Sequence, residues 1–96
     1  MTIAERIRAK LESALSPAHL AVIDESHRHA GHIGARPGGE SHFRIEIVAA
    51  AFTGQSRVAR QRQIYALLAE EFAESVHALQ ITAKTPAEVF PREYST

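Results

Sequence analysis

The chain contains no cysteine and no tryptophan, and only 6% of its 96 residues are aromatic. Without thiols it has no disulfide framework, no thiolate zinc knuckle and no cysteine nucleophile. An excess of one charge is missing as well: eleven lysines and arginines face eleven aspartates and glutamates, for a formal net charge of zero. That balance is unlike a dedicated nucleic-acid binder, although a neutral chain still accommodates a local basic face. No apolar run approaches the roughly 20 residues that span a bilayer. The opening MTIAERIRAKLESAL carries charges every few residues and lacks the apolar centre of a secretory signal. Composition therefore predicts a soluble, cytoplasmic protein with no membrane partner. A hydrophobic fraction of 45% over 96 residues supplies one modest core. One domain over residues 1–96 is expected, its core at about 2–90, with 91–96 fraying.

What the chain does have is histidine, concentrated in one place. The stretch HRHAGHIGARPGGESHF, residues 27–43, holds four of the six histidines. It lies in a connection, Ser26 to Ser41, far longer than the usual hairpin loop of about 2–5 residues. Pro37-Gly38-Gly39 excludes regular structure from its second half. Imidazole suits zinc, iron and copper, which makes His27, His29 and His32 of this loop, with His77 further on, candidate ligands. Each loop histidine has surface decoration as its plain alternative. His77 shares strand parity with Leu79, Ile81 and Ala83, so a half-buried core histidine is the alternative there. No stand-alone ligand motif such as HExxH occurs. A closed site would need Asp24 and Glu25 to swing in, and an open one would be completed by another protein.

The element pattern is regular outside that loop. Thr2 and Glu5 have capping-box spacing, followed by Ile3, Ile7, Leu11 and Leu15 at i+4. Ser16-Pro17 ends the helix. His19 to Glu25 and His42 to Ala49 alternate as strands; in the second, Phe43, Ile45 and Ile47 share one face. Gly54 bends the next turn and Ser56 is placed to cap a helix from Arg57 to Ser75, with a possible kink at 59–61. Its early part is basic and its later part acidic, against the helix dipole. Either tertiary partners compensate, or the arginines serve something outside the domain. Val76 to Ala83 reads as a third strand, and Pro86 to Phe90 as a last helical turn with Pro86 at its first position. The result is an α+β fold of two layers: a three-stranded sheet with helices on one face, in the order α-β-β-α-α-β. That order is type II KH-like, although the glycine-x-x-glycine clamp of nucleic-acid-binding KH domains is absent.

Several chemistries are disfavoured by what the motifs lack. The serines, histidines and acids include no nucleophile elbow. RPGGES lacks the lysine and following helix of a phosphate loop. No enzyme activity is expected. Arg57, Arg60 and Arg62 with Lys84 could meet phosphate beside the Gly54 turn, or could simply be a solvated face.

Four blocks, VIDESHRHAGH, GGESHFRIEIV, FTGQSRVARQRQIYALLAEE and VHALQITAKTP, together resemble the BolA-like family from Val22 to Pro86. The resemblance implies a non-enzymatic partner of monothiol glutaredoxins that helps hold a [2Fe-2S] cluster shared with glutaredoxin and glutathione. No cofactor is then expected to stay tightly bound to the isolated chain, which is monomeric or a weak homodimer. The histidine of the family's HAL block falls on His77. The second ligand position falls on His29, with His32 its competitor. An imidazole-ligated cluster suits iron or redox sensing, or cluster transfer. The alternative function implied by the family is a DNA-binding transcription regulator of stress responses, acting through the region that reads Arg60-Gln61-Arg62 here. Gln61 retains hydrogen-bonding capacity without a metal-capable ring.

Overall fold

A computed structural model describes residues 2–25 and 42–89. The expected loop, with His27, His29 and His32, and the expected frayed tail lie outside the described residues. The elements run α1 (Ile3–Leu15), β1 (His19–Asp24), β2 (His42–Val48), a 3₁₀ turn (Ala50–Phe52), α2 (Arg57–Leu67), α3 (Ala69–Glu74), β3 (Ala78–Lys84) and α4 (Pro86–Val89).

The capping box forms as its spacing requires. The Glu5 N–H donates to Thr2 Oγ1 at 3.1 Å, and the Thr2 N–H donates to the Glu5 carboxylate at 2.8 Å. The Thr2 N–H, first, and the Thr2 hydroxyl hold the Glu5 carboxyl below its ordinary pKa. From this start the i+4 stripe of α1 buries Ile7, Leu11 and Leu15. Ser16 ends the helix in the left-handed region, at φ 44° and ψ 57°.

The sheet order is β1-β2-β3, with β1 antiparallel and β3 parallel to the central β2. A parallel neighbour demands a crossover, and α2 and α3 supply it. Register sets Ile45 between Val22 on β1 and Ile81 on β3. Phe43, Ile45 and Ile47 are all buried, and they face Ile7, Leu11 and Leu15 of α1, Phe52, and Ile64 and Leu68 across one core. This is the two-layer α+β arrangement predicted from the pattern.

Three local features differ from the reading of the sequence. The long helix is unbroken at 59–61 and breaks instead at Leu68, whose φ of −103° and ψ of 18° leave the helical region. Leu68 stays buried in the core, and beyond it Glu71 turns towards α1. Two helices also remove the acidic half of the conflict with the dipole, because Glu70 and Glu71 now open α3 rather than close a longer helix. The third strand starts at Ala78, not Val76. Val76 is buried and donates its N–H to the Glu71 carbonyl at 3.0 Å, so it belongs to the end of α3. His77 is left in the short link before β3.

Tertiary partners do compensate the charges. Glu71, fully buried, lies 2.8 Å from Arg6 and 3.0 Å from Lys10 on α1. Lys10 also reaches Glu70 at 2.9 Å, and Arg6 pairs with Glu74. The hydrogen bond from Lys10 holds the Glu70 carboxyl below its ordinary pKa. Four ion pairs thus tie α1 to α3 around a carboxylate with no access to water.

Candidate functional site

Functional candidates collect at two opposite ends of the sheet. At the first end β2 and β3 begin. His77 is exposed in the link before β3, not half-buried in the core. Parallel pairing sets His42 opposite Ala78, and the His42 and His77 rings come to a centroid separation of 6.5 Å with planes tilted by 36°. The backbone at His42 is held from the other side too, its carbonyl accepting the Glu25 N–H at 2.8 Å. Glu25 also pairs with Arg44 at 3.3 Å. The histidine-rich segment leaves the described chain after Glu25 and re-enters it at His42, so both of its anchors are at this end. Sequence reasoning missed His42 as a neighbour of His77; only the parallel pairing of β2 with β3 makes them adjacent. Among the described residues no three histidine, aspartate or glutamate side chains gather as a ready metal cage.

At the second end β3 finishes and α2 begins. A groove of about 370 Å³ opens there, lined by Arg57, Arg60, Gln61, Thr82, Lys84 and Glu88 among others. Arg57 and Lys84, far apart in sequence, thus share one groove; Arg62 is exposed on α2 outside its lining. Arg60 is different in kind. It is only 6% exposed, and its guanidinium is spent on the protein itself. Nε donates to the Gln55 carbonyl at 3.0 Å and Nη1 to the Ala83 carbonyl at 3.1 Å. Nη1 and Nη2 also fork onto Glu88, and the charge stands 5.9 Å from the centre of the Phe52 ring, within cation–π range. Glu88 is fixed in turn by α4, where Thr85 and Glu88 exchange reciprocal capping bonds of 2.8 and 3.3 Å. Arg60, first, and the Thr85 backbone then hold the Glu88 carboxyl down to a pKa of about 2. With Arg60 matched by Glu88, Arg57 and Lys84 are the cations left facing the groove.

The turn that presents α2 is built locally. Gly54 takes φ 83°, which a side chain would resist. The Gln55 N–H donates to the Phe52 carbonyl at 2.9 Å, and Ser56 caps α2 by accepting the Ala59 N–H at 3.1 Å. The groove begins at Ile81, half-way along β3, so about four residues of strand, roughly 13 Å at about 3.3 Å per residue, separate its near edge from His77. Arg57, Arg60 and Lys84 are brought together; none of them is brought to His77.

An α-β-β-α-α-β domain with a mixed three-stranded sheet and a glycine turn before α2 has the two-layer, type II KH-like fold. The model of the BolA-like protein family matches residues 11–88. SufE-like protein 1, chloroplastic/mitochondrial, of Arabidopsis thaliana is 52% identical over 88% of this chain, which spans 24% of that protein. Protein BOLA1, chloroplastic, of the same plant is 45% identical over 88% of the chain, which spans 54% of it. The DNA-binding transcriptional regulator BolA of Escherichia coli is 45% identical over 88% of the chain and 77% of its own length. The solved BolA domain of Arabidopsis SufE1 superimposes with a TM-score of 0.79, covering 88% of this chain and 93% of that one. The chain belongs to the BolA-like family. BolA-like proteins are non-catalytic adaptors and regulators, and no enzymatic activity is assigned to this domain.

One expectation is overturned by these relatives. Composition predicted a cytoplasmic protein, whereas two of them are chloroplastic or mitochondrial. The physical reason is that a compartment address is read from segments outside the folded domain, so the composition of the domain carries no address. Among the described residues no helix is long and apolar enough to cross a membrane.

Proposed function

We propose that the chain is the non-enzymatic partner of a monothiol glutaredoxin and contributes imidazole to a [2Fe-2S] cluster shared between the two proteins and glutathione, for iron or redox sensing or cluster transfer. The observation that carries this reading is the exposed His77 at the sheet end where the histidine-rich segment is anchored at Glu25 and His42. The donor set suits a group that takes its sulfur elsewhere: the chain has no cysteine, and an accessible imidazole is what it can add. His77 is the first ligand, with His29 or His32 as the second. Such a cluster supplies electron storage, and imidazole in place of thiolate raises its potential.

Reconstitution with a monothiol glutaredoxin and glutathione, followed by visible absorbance and circular dichroism, tests this. A new spectrum that needs the chain, and that is lost in His77→Ala and in one of His29→Ala or His32→Ala, is the expected result. A spectrum identical to that of glutaredoxin alone refutes the ligand role.

A second reading, DNA binding in transcription regulation, is favoured by the Arg57–Lys84 groove and by the name of the Escherichia coli relative. Strongly salt-dependent association with duplex DNA is its signature.

A further inference from the structure

The His42–His77 pair is not absorbed by either reading, because the ligand positions named above fall on His77 and the loop. We propose that His42 and His77 form a two-imidazole site for a single borderline divalent cation, Zn²⁺ or Cu²⁺, on the isolated chain. The geometry is close to what one ion requires. Two imidazoles sharing an ion at Zn–N bonds of about 2.0–2.1 Å have ring centroids about 5 to 6 Å apart, depending on the angle at the metal. The observed separation is 6.5 Å. His77 is exposed in an unpaired link, so a side-chain rotation closes the difference without moving the sheet.

Half of the site is already held. His42 is the first residue of the central strand, paired with β3 on one side and bonded through its carbonyl to Glu25 on the other. Its backbone therefore pays little ordering entropy when a metal binds, and His77 supplies the adjustable arm. Two imidazole ligands select zinc, copper or nickel over calcium and magnesium, which demand oxygen. Two protein ligands leave the remaining coordination positions open to water or to a donor from a partner. The site asks nothing of glutaredoxin, so its failure leaves the cluster reading standing, and the reverse also holds.

The test uses the full chain with the metal alone. Zn²⁺ is titrated by calorimetry, and Cu²⁺ is followed by electron paramagnetic resonance. One equivalent is expected to bind, with hyperfine structure from two nitrogens. His42→Ala or His77→Ala each weakens binding at least tenfold and leaves one nitrogen, while His19→Ala, exposed at the opposite end of the sheet, binds as the parent does. Nuclear magnetic resonance of the unmodified chain provides a check that no folding defect can mimic: Zn²⁺ shifts the ring signals of His42 and His77 together at one equivalent. Affinity unchanged within twofold in a folded His42→Ala variant, or ring shifts confined to other histidines, overturns the proposal.

Discussion

Arg60 and Glu88 form a forked ion pair, Nη1 standing 2.7 Å from Oε1 and Nη2 3.2 Å from Oε2. The pair joins the first turns of α2 to α4, and Arg60 adds the end of β3 through the Ala83 carbonyl. An arginine that reads in the sequence as part of an outward basic patch is thus a staple between three elements. Because the Glu88 carboxyl is held at about 2 in the folded chain against an ordinary 4.5, its contribution is complete above the ordinary value. That contribution is lost as pH falls from there towards 2. Glu88→Gln is therefore expected to lower the melting temperature at neutral pH, with the gap to the parent narrowing progressively below pH 4.5. A gap of constant size down to pH 2 would assign the loss to something other than this carboxylate.

The centre of the sheet sets the global stability. Ile45 is fully buried between Val22 and Ile81, where β2 has strands on both sides and α1 over its face. Ile45→Ala is expected to cost about 2–5 kcal/mol, the transfer loss plus an unrelaxed cavity. Equilibrium denaturation in urea measures it, and a cost below about 1 kcal/mol would mean that the core there collapses onto the gap.

How far the sequence carries can be judged from these residues. Ile45, Phe43 and Ile47 alternate in a plain period of two, and Thr2, Ser56 and Pro86 sit at cap positions; such local signals predicted the layer architecture and most element ends. The break at Leu68 has no local marker: no glycine, proline or cap residue stands there, and the helical pattern continues through it. Its cause is tertiary, the burial of Leu68 with the pairing of Glu71 to α1. The same holds for function. His77 is legible as a candidate from its block, and charge type alone suggests the grouping of Arg57 with Lys84 that the groove shows. The adjacency of His42 to His77, however, depends on a parallel register between residues 35 positions apart, which no periodicity encodes.

Two positions in the left-handed region should respond to substitution with opposite sign. Ser16 holds φ 44° at the end of α1 and carries a side chain there. Ser16→Gly should stabilise by up to about 1 kcal/mol, because that conformation strains any L-residue and glycine relieves it. Gly54 holds φ 83°, and an added Cβ would meet nothing within 4 Å. Gly54→Ala should cost about 1 kcal/mol from backbone strain alone. Paired thermal melts of the two variants check both signs.

The buried Glu71 makes a prediction about order rather than size. Arg6 and Lys10 are its charge partners, so Arg6→Met with Lys10→Met leaves a carboxylate stranded without water or counter-charge. Adding Glu71→Leu to that double variant removes the stranded charge. The triple variant is therefore expected to melt higher than the double one. A triple variant that melts lower would show that Glu71 is held by something beyond the two cations.

The two arginines that share a turn of α2 should separate in a DNA-binding assay. Each phosphate contact contributes about 0.9 to the slope of log affinity against log salt. Arg57 and Lys84 line the groove with exposed side chains, so Arg57→Ala and Lys84→Ala should each lower that slope by about one while leaving the melting temperature unchanged. Arg60 has its donors committed to Gln55, Ala83 and Glu88. Arg60→Ala should therefore lower the melting temperature, and in the folded fraction the salt slope should stay that of the parent. Fluorescence anisotropy with a labelled duplex between 50 and 200 mM salt, alongside thermal melts, reads both quantities. If Arg60→Ala reduced the slope as Arg57→Ala does, the guanidinium would have to leave Glu88 to reach phosphate, and the staple would be a switch rather than a fixture.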